Sequence, residues 1–280
     1  MTTQLTGALY ALIAAALYGG ADFSGGVATR RLNHYQVLLL TSLVGAVVMI
    51  VLALLWREGL PTVKSIINAV LASIFGSIGL AALYNALAYR RASVVAPASA
   101  VVASAVPVIY TAFIQGLPGA ITLTGFILAA IGIWLTTGTE AANGEQANDG
   151  LVQGVLSGLG FGGFFIFIAR IEPGYIFSPL IFGKLAAAAV GLLIVFYKRL
   201  PLPNPIRHPL TILSGFLDIL ANVLYLVSTS LTRVDIAAVL VCTYPAATVV
   251  LAMLFFKERI TRSQALGVIV CIVAIALIII

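Results

Sequence analysis

The sequence predicts an all-α integral membrane protein of ten transmembrane helices, arranged as two inverted five-helix repeats. Three observations carry this. The 280 residues are 61% hydrophobic and only 9% charged, against about 25% charged in ordinary soluble domains, so the chain cannot build a water-facing surface. Apolar runs of roughly 20 residues, the length that crosses a bilayer as a helix, recur from end to end. The longest polar interruption, GTEAANGEQANDG from Gly138 to Gly150, falls near the midpoint with five runs on either side. A transmembrane barrel would show segments of ~10 residues alternating apolar and polar, and that pattern is absent.

In chain order the expected helices run over 6–26, 35–55, 65–88, 92–115 and 119–137, then 151–171, 176–197, 209–231, 234–256 and 262–280. Residues 1–137 form the first unit, 138–150 a linker and 151–280 the second unit. The proline-rich RLPLPNPIRHP from Arg199 separates helices 7 and 8; elsewhere the breaks are short, which makes neighbours antiparallel. No cleaved signal peptide is expected, because the first run lacks a basic flank and the repeat needs it.

Internal similarity follows from comparing the halves. LYGGADF from Leu17 aligns with GFGGFFI from Gly160, Leu83-Tyr84 with Leu224-Tyr225, VPVIY around Pro107 with YPAAT around Pro245, and Ile121-Thr122 with Ile260-Thr261. An odd number of helices per half inverts the second relative to the first. Inverted repeats with a site near the midplane are a hallmark of secondary transporters, which favours a carrier.

The net charge of +6 does not point to nucleic acid, since Arg30, Arg31, Arg90, Arg91, Lys198 and Arg199 sit at helix ends, where they anchor in headgroups and set topology. Cys242 and Cys271 fall inside apolar runs and read as packing residues.

One helix is unusual. In SGFLDILANVLYLVSTS, Ser214, Asp218, Asn222 and Tyr225 are spaced 4, 4 and 3 and share a face. The repeat maps them onto Ser73, Ser77, Ala81 and Tyr84, so two related stripes of small, polar and tyrosine residues are expected to line one central cavity. Asp218 lies within about 3 Å of its helix centre at the α-helical rise. A charge there costs at least ~2.5–3.5 kcal/mol on insertion scales and usually faces a wet interior. Two readings stand: a carboxylate that clasps helices together, or a group that binds a substrate amine or a proton. Lys184 is the other ionisable residue near a helix centre; it either snorkels or pairs with Asp218. Asp22, in YGGADFSGG, reads as a rim or capping group. Ser77, Tyr84, Asn85, Lys184, Ser214, Asp218, Asn222, Tyr225 and Tyr244 form the expected substrate-binding set, with no catalytic residue, cofactor or metal.

Phe161, Phe164, Phe165 and Phe167 either pack or stack on a ligand ring. Ala92, Ala96, Ala100 and Ser104, recurring every fourth residue, predict close crossing by the fourth helix. Pro97, Pro107 and Pro245 permit bends.

ALYNALAYRRASVVAPASAVVASAVPV in the first half and VLYLVSTSLTRVDIAAVLVCTYPAATVVLAMLFFKERITRSQALGV in the second resemble the drug/metabolite transporter superfamily, EamA type. Pro245, the turn Lys257-Glu258-Arg259 and Gly267 carry the likeness; QGLPGAIT from Gln115 departs from it by lacking an acid before the fifth helix. The resemblance implies a multi-pass carrier in a cell membrane, a bacterial inner membrane in particular, that exports amino acids or related metabolites; other members carry nucleotide sugars or phosphorylated sugars.

Rival classes fare less well. His34 and His208 lie in loops, and no HExxH, paired-Asp or P-loop signature is present, which argues against an enzyme. A channel would need a filter or charged ring, and a structural subunit needs no intramembrane acid and base. The expected partners are a small-molecule substrate, the lipid bilayer and protons as a coupling ion, with no nucleic acid and at most weak oligomers. Orientation is open: ten bases on the loops 1–2, 3–4, 7–8 and 9–10 against four opposite put both termini outside the cytoplasm, whereas the family likeness implies cytoplasmic termini.

Overall fold

The computed structural model describes residues 2–29, 31–88, 92–137, 145–256 and 261–279. Those residues form α1 (Thr2–Ala28), α2 (His34–Leu55), α3 (Val63–Ala88), α4 (Ala92–Gln115), α5 (Ala120–Thr137), α6 (Glu145–Ile168), α7 (Phe177–Tyr197), α8 (Pro209–Leu231), α9 (Val234–Val241), α10 (Tyr244–Phe256) and α11 (Arg262–Ile279), with one turn of 3₁₀ helix at Pro205–Arg207. Seven of these helices are long and apolar enough to cross a membrane, and the stretches 120–135, 152–168 and 234–247 are apolar but shorter.

Two differences from the expected elements have physical causes. The ninth helix is divided at Cys242–Thr243 into α9 and α10, because Pro245 lacks the N–H that would continue the ladder to Val241. Thr243 donates instead to the Leu240 carbonyl (3.2 Å) and Ala246 to that of Thr243 (2.9 Å). Secondly, α6 begins at Glu145, inside the expected linker, since Glu, Gln and Ala are good helix formers however polar the stretch. By contrast α4 stays helical through Pro97 and Pro107.

Helix ends reveal how the halves relate. After α2, Trp56 donates to Leu52 (2.9 Å), Arg57 to Leu54 (3.2 Å) and Glu58 to Ala53 (2.9 Å); after α7, Lys198 donates to Ile194, Arg199 to Phe196 and Leu200 to Val195 at 2.9, 3.0 and 2.9 Å. Both are Schellman closures, with Arg57 and Arg199 in the left-handed region at φ 52° and 51°. Each closure then meets the start of the other helix. The Glu58 carboxylate accepts from the N–H groups of Ile176 (3.1 Å), Phe177 (3.1 Å) and Ser178 (2.8 Å), all the orphan donors of α7, since the fourth position is Pro179 and has no N–H. In the other direction Gln36, which completes a capping box with Asn33 on α2, donates from Nε2 to the Pro201 carbonyl at 2.6 Å. So α2 and α7 lie antiparallel with reciprocal ends.

The rest of the packing follows the same exchange. α1 packs along α8 and α3 along α6; α3 also meets α7 as α8 meets α2; α5 pairs with α11. Direction can be read from the contacts: Ser228 near the end of α8 donates to Gly7 near the start of α1 (2.7 Å), while Ser214 near its start donates to Ala21 (2.9 Å).

Glycine sets the closest crossings. A Cβ on Gly160 would meet the Gly79 Cα and N at 2.6 Å and the Phe75 carbonyl oxygen at 2.8 Å, so α6 rests on the backbone of α3. On another face of α6, a Cβ on Gly158 or Gly162 would meet Val102 or Val106 at 2.5 Å, and Ser157 shares a 2.8 Å hydrogen bond with Ser99 of α4. The close approach expected from the small residues of α4 is therefore delivered chiefly by α6. Ala100 and Ser104 are buried, while the side chains of Ala92 and Ala96 lie outside the described residues. Cys242 and Cys271 are buried free thiols, Cys271 lying against Gly132 of α5. The outer surface is apolar, with Val47, Leu54, Leu55, Ile67, Phe113, Leu193 and Phe196 exposed.

Gly160→Val is expected to force α6 off α3 and to destabilise by about 1–3 kcal/mol or more, as overpacking does. Gly59→Ala, where a Cβ would meet nothing within 4 Å, serves as the neutral control. Thermal unfolding in detergent checks both.

Candidate functional site

Between the halves lies a cavity of about 380 Å³, walled by α1, α2, α3 and α4 from one half and α6, α7, α8 and Tyr244 of α10 from the other. Its polar lining comes from a few turns: Tyr18 and Asp22 on α1, Thr41 and Ser42 on α2, Ser73 and Ser77 on α3, Lys184 on α7, and Ser214, Asp218 and Asn222 on α8. Phe161, Phe164 and Phe165 of α6 supply an aromatic side.

Lys184 does not snorkel. Its aliphatic stem crosses α2 over Gly45, where a Cβ would meet Lys184 Cδ at 3.1 Å, and its ammonium forms an ion pair with Asp218 Oδ2. Asn222 braces the pair, donating from Nδ2 to the Asp218 carbonyl oxygen (2.7 Å) and to Oδ2 (3.3 Å), while its Oδ1 accepts from the Tyr18 hydroxyl at 2.9 Å. One chain of polar contacts thus runs from α7 through α8 to α1. The side chains of Lys184 and Asp218 keep 16% and 31% exposure, so the pair faces the cavity instead of dry protein.

Of the residues expected from sequence, Ser77, Lys184, Ser214, Asp218, Asn222 and Tyr244 line this cavity. Ser77 donates back to the Ser73 carbonyl at 2.7 Å. Tyr225 does not line it: its ring is fully buried, packed edge-on against Phe165 at 4.9 Å, with its hydroxyl donating to the Phe165 carbonyl at 3.1 Å. A three-residue step after Asn222 turns it about 60° away from the line of Ser214, Asp218 and Asn222, toward α6. The side chains of Tyr84 and Asn85 lie outside the described residues.

Asp22 is the main correction. α1 continues to Ala28, so Asp22 is not at a rim; it stands in the cavity wall, exposed to its interior. Its spacing of four from Tyr18 was the available signal, since both then share a face. Tyr18 itself touches Tyr244 (ring centroids 6.4 Å apart) and Phe165 (6.5 Å, edge-on).

The cavity reaches toward the last turns of α1 and the first turns of α2 and α8. At the opposite end, polar contacts join the α2–α3 loop to the α6–α7 loop. The Glu172 carboxylate accepts from the Thr62 hydroxyl, from Lys64 Nζ at 3.3 Å and from Ser65 Oγ at 3.5 Å. Asn68 donates to the Arg170 carbonyl at 3.1 Å, and Glu58 caps α7 as described. Arg233 bridges Asp235 (2.9 Å) and the Gly116 carbonyl (2.8 Å) at the same end. The hydrogen bond from Thr62, then that from Lys64, hold the Glu172 carboxyl below the usual glutamate range.

Comparison with known proteins agrees with this architecture. The EamA-like transporter family matches the chain twice, over residues 5–138 and 149–280. The chain belongs to that family, whose members are membrane transporters of small molecules and not enzymes. A crystal structure described only as "Crystal structure of protein" superposes with a TM-score of 0.76 at 17% identity, covering 97% of this chain and 95% of the other; at that identity it shows a shared fold. A search of curated proteins gives no match.

Two outcomes are expected. Lys184→Met and Asp218→Asn each destabilise by leaving a partner unmatched, though by less than the ~3–5 kcal/mol of a fully buried pair because both side chains reach the cavity. The double variant loses less than the two singles together, and thermal unfolding of the four proteins checks this. The second concerns the polar contacts that join the α2–α3 and α6–α7 loops. Glu172 has a lowered pKa, so its contribution is complete above the ordinary glutamate range and is lost as pH falls through the lowered value. A spin-label pair across the α2–α3 and α6–α7 loops is expected to separate on acidification, and to lose that response in Glu172→Gln.

Proposed function

We propose that this protein is a secondary transporter that carries small amphipathic metabolites, amino acids (aromatic ones included) and related compounds foremost, across a cell membrane by alternating access. The observation that carries this is the cavity itself: shared by both halves, walled by a braced ion pair and a set of aromatic rings, reaching toward one end and latched by polar contacts at the other. Antiparallel pairing of equivalent helices supports a reading in which the halves rock about the cavity, exposing it to each side in turn. The apolar outer surface and the family support a multi-pass membrane location, which we place in a bacterial inner membrane with export as the direction.

Cargo follows from the wall. Hydroxyls, an amide, carboxylates and rings suit an amine-bearing compound with an apolar body. A phosphorylated cargo would want several cations, and Lys184, the one cation of the wall among the described residues, is engaged by Asp218. We assign proton coupling to Asp218, the acid of the wall that is paired with Lys184.

Reconstituted in proteoliposomes, the protein is expected to take up amino acids, aromatic ones among them, and not sugar phosphates; preference for the phosphates overturns the cargo reading. Asp218→Asn, which keeps volume but cannot titrate, is expected to abolish accumulation against a gradient while exchange persists. An unchanged pH dependence in that variant removes Asp218 from the coupling.

A further inference from the structure

The charges around the cavity do not balance. Among the described residues three ionisable side chains of acid or base type line it: Asp22, Lys184 and Asp218. Lys184 is committed to Asp218, and Asn222 supports the same carboxylate. Asp22 makes no hydrogen bond and no ion pair among the described residues, yet it is exposed to the cavity. With both acids ionised and one base, the wall carries one negative charge in excess, located on α1. One turn before it on α1 stands Tyr18, whose ring meets those of Phe165 and Tyr244, and all four residues line the cavity.

We infer that Asp22 binds the cationic group of the cargo, and that the cavity selects aromatic or apolar amines over zwitterions of the same size. The inference rests on the carrier reading for the use of this cavity and reorders its amine-bearing cargo, putting simple amines ahead of amino acids. A primary ammonium gains the unmatched carboxylate and faces of aromatic rings, both of which favour a cation. A zwitterion brings a carboxylate as well. That group meets two acids in the wall, and it reaches a cation only by taking Lys184 from Asp218 and stranding the latter. An anion gains nothing. Asp218, the acid that stands out in the sequence, is by this account an internal partner in the state described, and Asp22 is the group offered to a ligand.

The test uses the full-length protein in detergent and three compounds with one ring and different charge: phenethylamine, phenylalanine and phenylacetate. Radiolabelled phenethylamine is bound at equilibrium and displaced by the other two. The wild type is expected to bind phenethylamine at least tenfold more tightly than phenylalanine, with no displacement by phenylacetate. Asp22→Asn is expected to lower phenethylamine affinity at least tenfold and erase the preference, and Asp22→Glu to keep it. Equal affinity for amine and zwitterion in the wild type overturns the inference, as does an intact preference in Asp22→Asn or the absence of binding by all three. Selectivity in the wild type alone decides the matter if a variant fails to fold. Flux in proteoliposomes is read separately: selective amine binding without uptake counts against the carrier reading and leaves Asp22 in its role, whereas uptake without amine preference does the reverse.

Discussion

Everything in this bundle depends on how closely α6 approaches its neighbours. Gly160 places α6 on the backbone of α3, and Gly158 and Gly162 let it sink between Val102 and Val106 of α4. In an apolar solvent there is little hydrophobic gain in bringing helices together, so close van der Waals contact at small residues must do it. The same approach brings Phe161, Phe164 and Phe165 to the edge of the central space. Were α6 held off by even one methyl group, its aromatic wall and the buried Tyr225 that leans on Phe165 would both lose their support.

Two structurally equivalent halves need not be chemically equivalent, and here they differ where it matters. Lys184 on α7 answers to Ser42 on α2, Asp218 on α8 to Ser77 on α3, and Asp22 on α1 to Phe165 on α6, all of them in the cavity wall. The shared packing gives a space walled by both halves. The unshared residues give that space a polarity: one ion pair held within the second half, one carboxylate on the first without a partner among the described residues, and aromatic rings in the same wall. A symmetric pair of charges at each position would close the cavity on itself.

The two ends are also built differently. Around Glu58 and Glu172, backbone donors at the start of α7 and hydroxyls of Thr62 and Ser65 converge on carboxylates, so the joint consists of many individually modest hydrogen bonds, exposed or only partly buried. Such contacts exchange readily with water. Packing at Gly160 does not. One end is thus held by contacts that water can replace, and the middle by sterics that it cannot.

The sequence by itself determined the helices, their approximate limits and the polar face of α8, because apolar length and a spacing of four are local properties that survive any packing. Its internal similarity also announced paired halves. Tertiary structure decided which polar residues meet. Tyr225 shares the polar face of α8 on paper, yet the step of three carries it to α6, where a backbone carbonyl was waiting. Asp22 looked peripheral because it lies toward the end of the first apolar run, whereas α1 runs on as helix to Ala28. Whether Lys184 reached water or Asp218 could not be read from its own neighbours, since the answer lay in the missing side chain at Gly45, 139 residues away in the chain. Spacing fixes the face a side chain occupies; only the neighbouring helix fixes what that face touches.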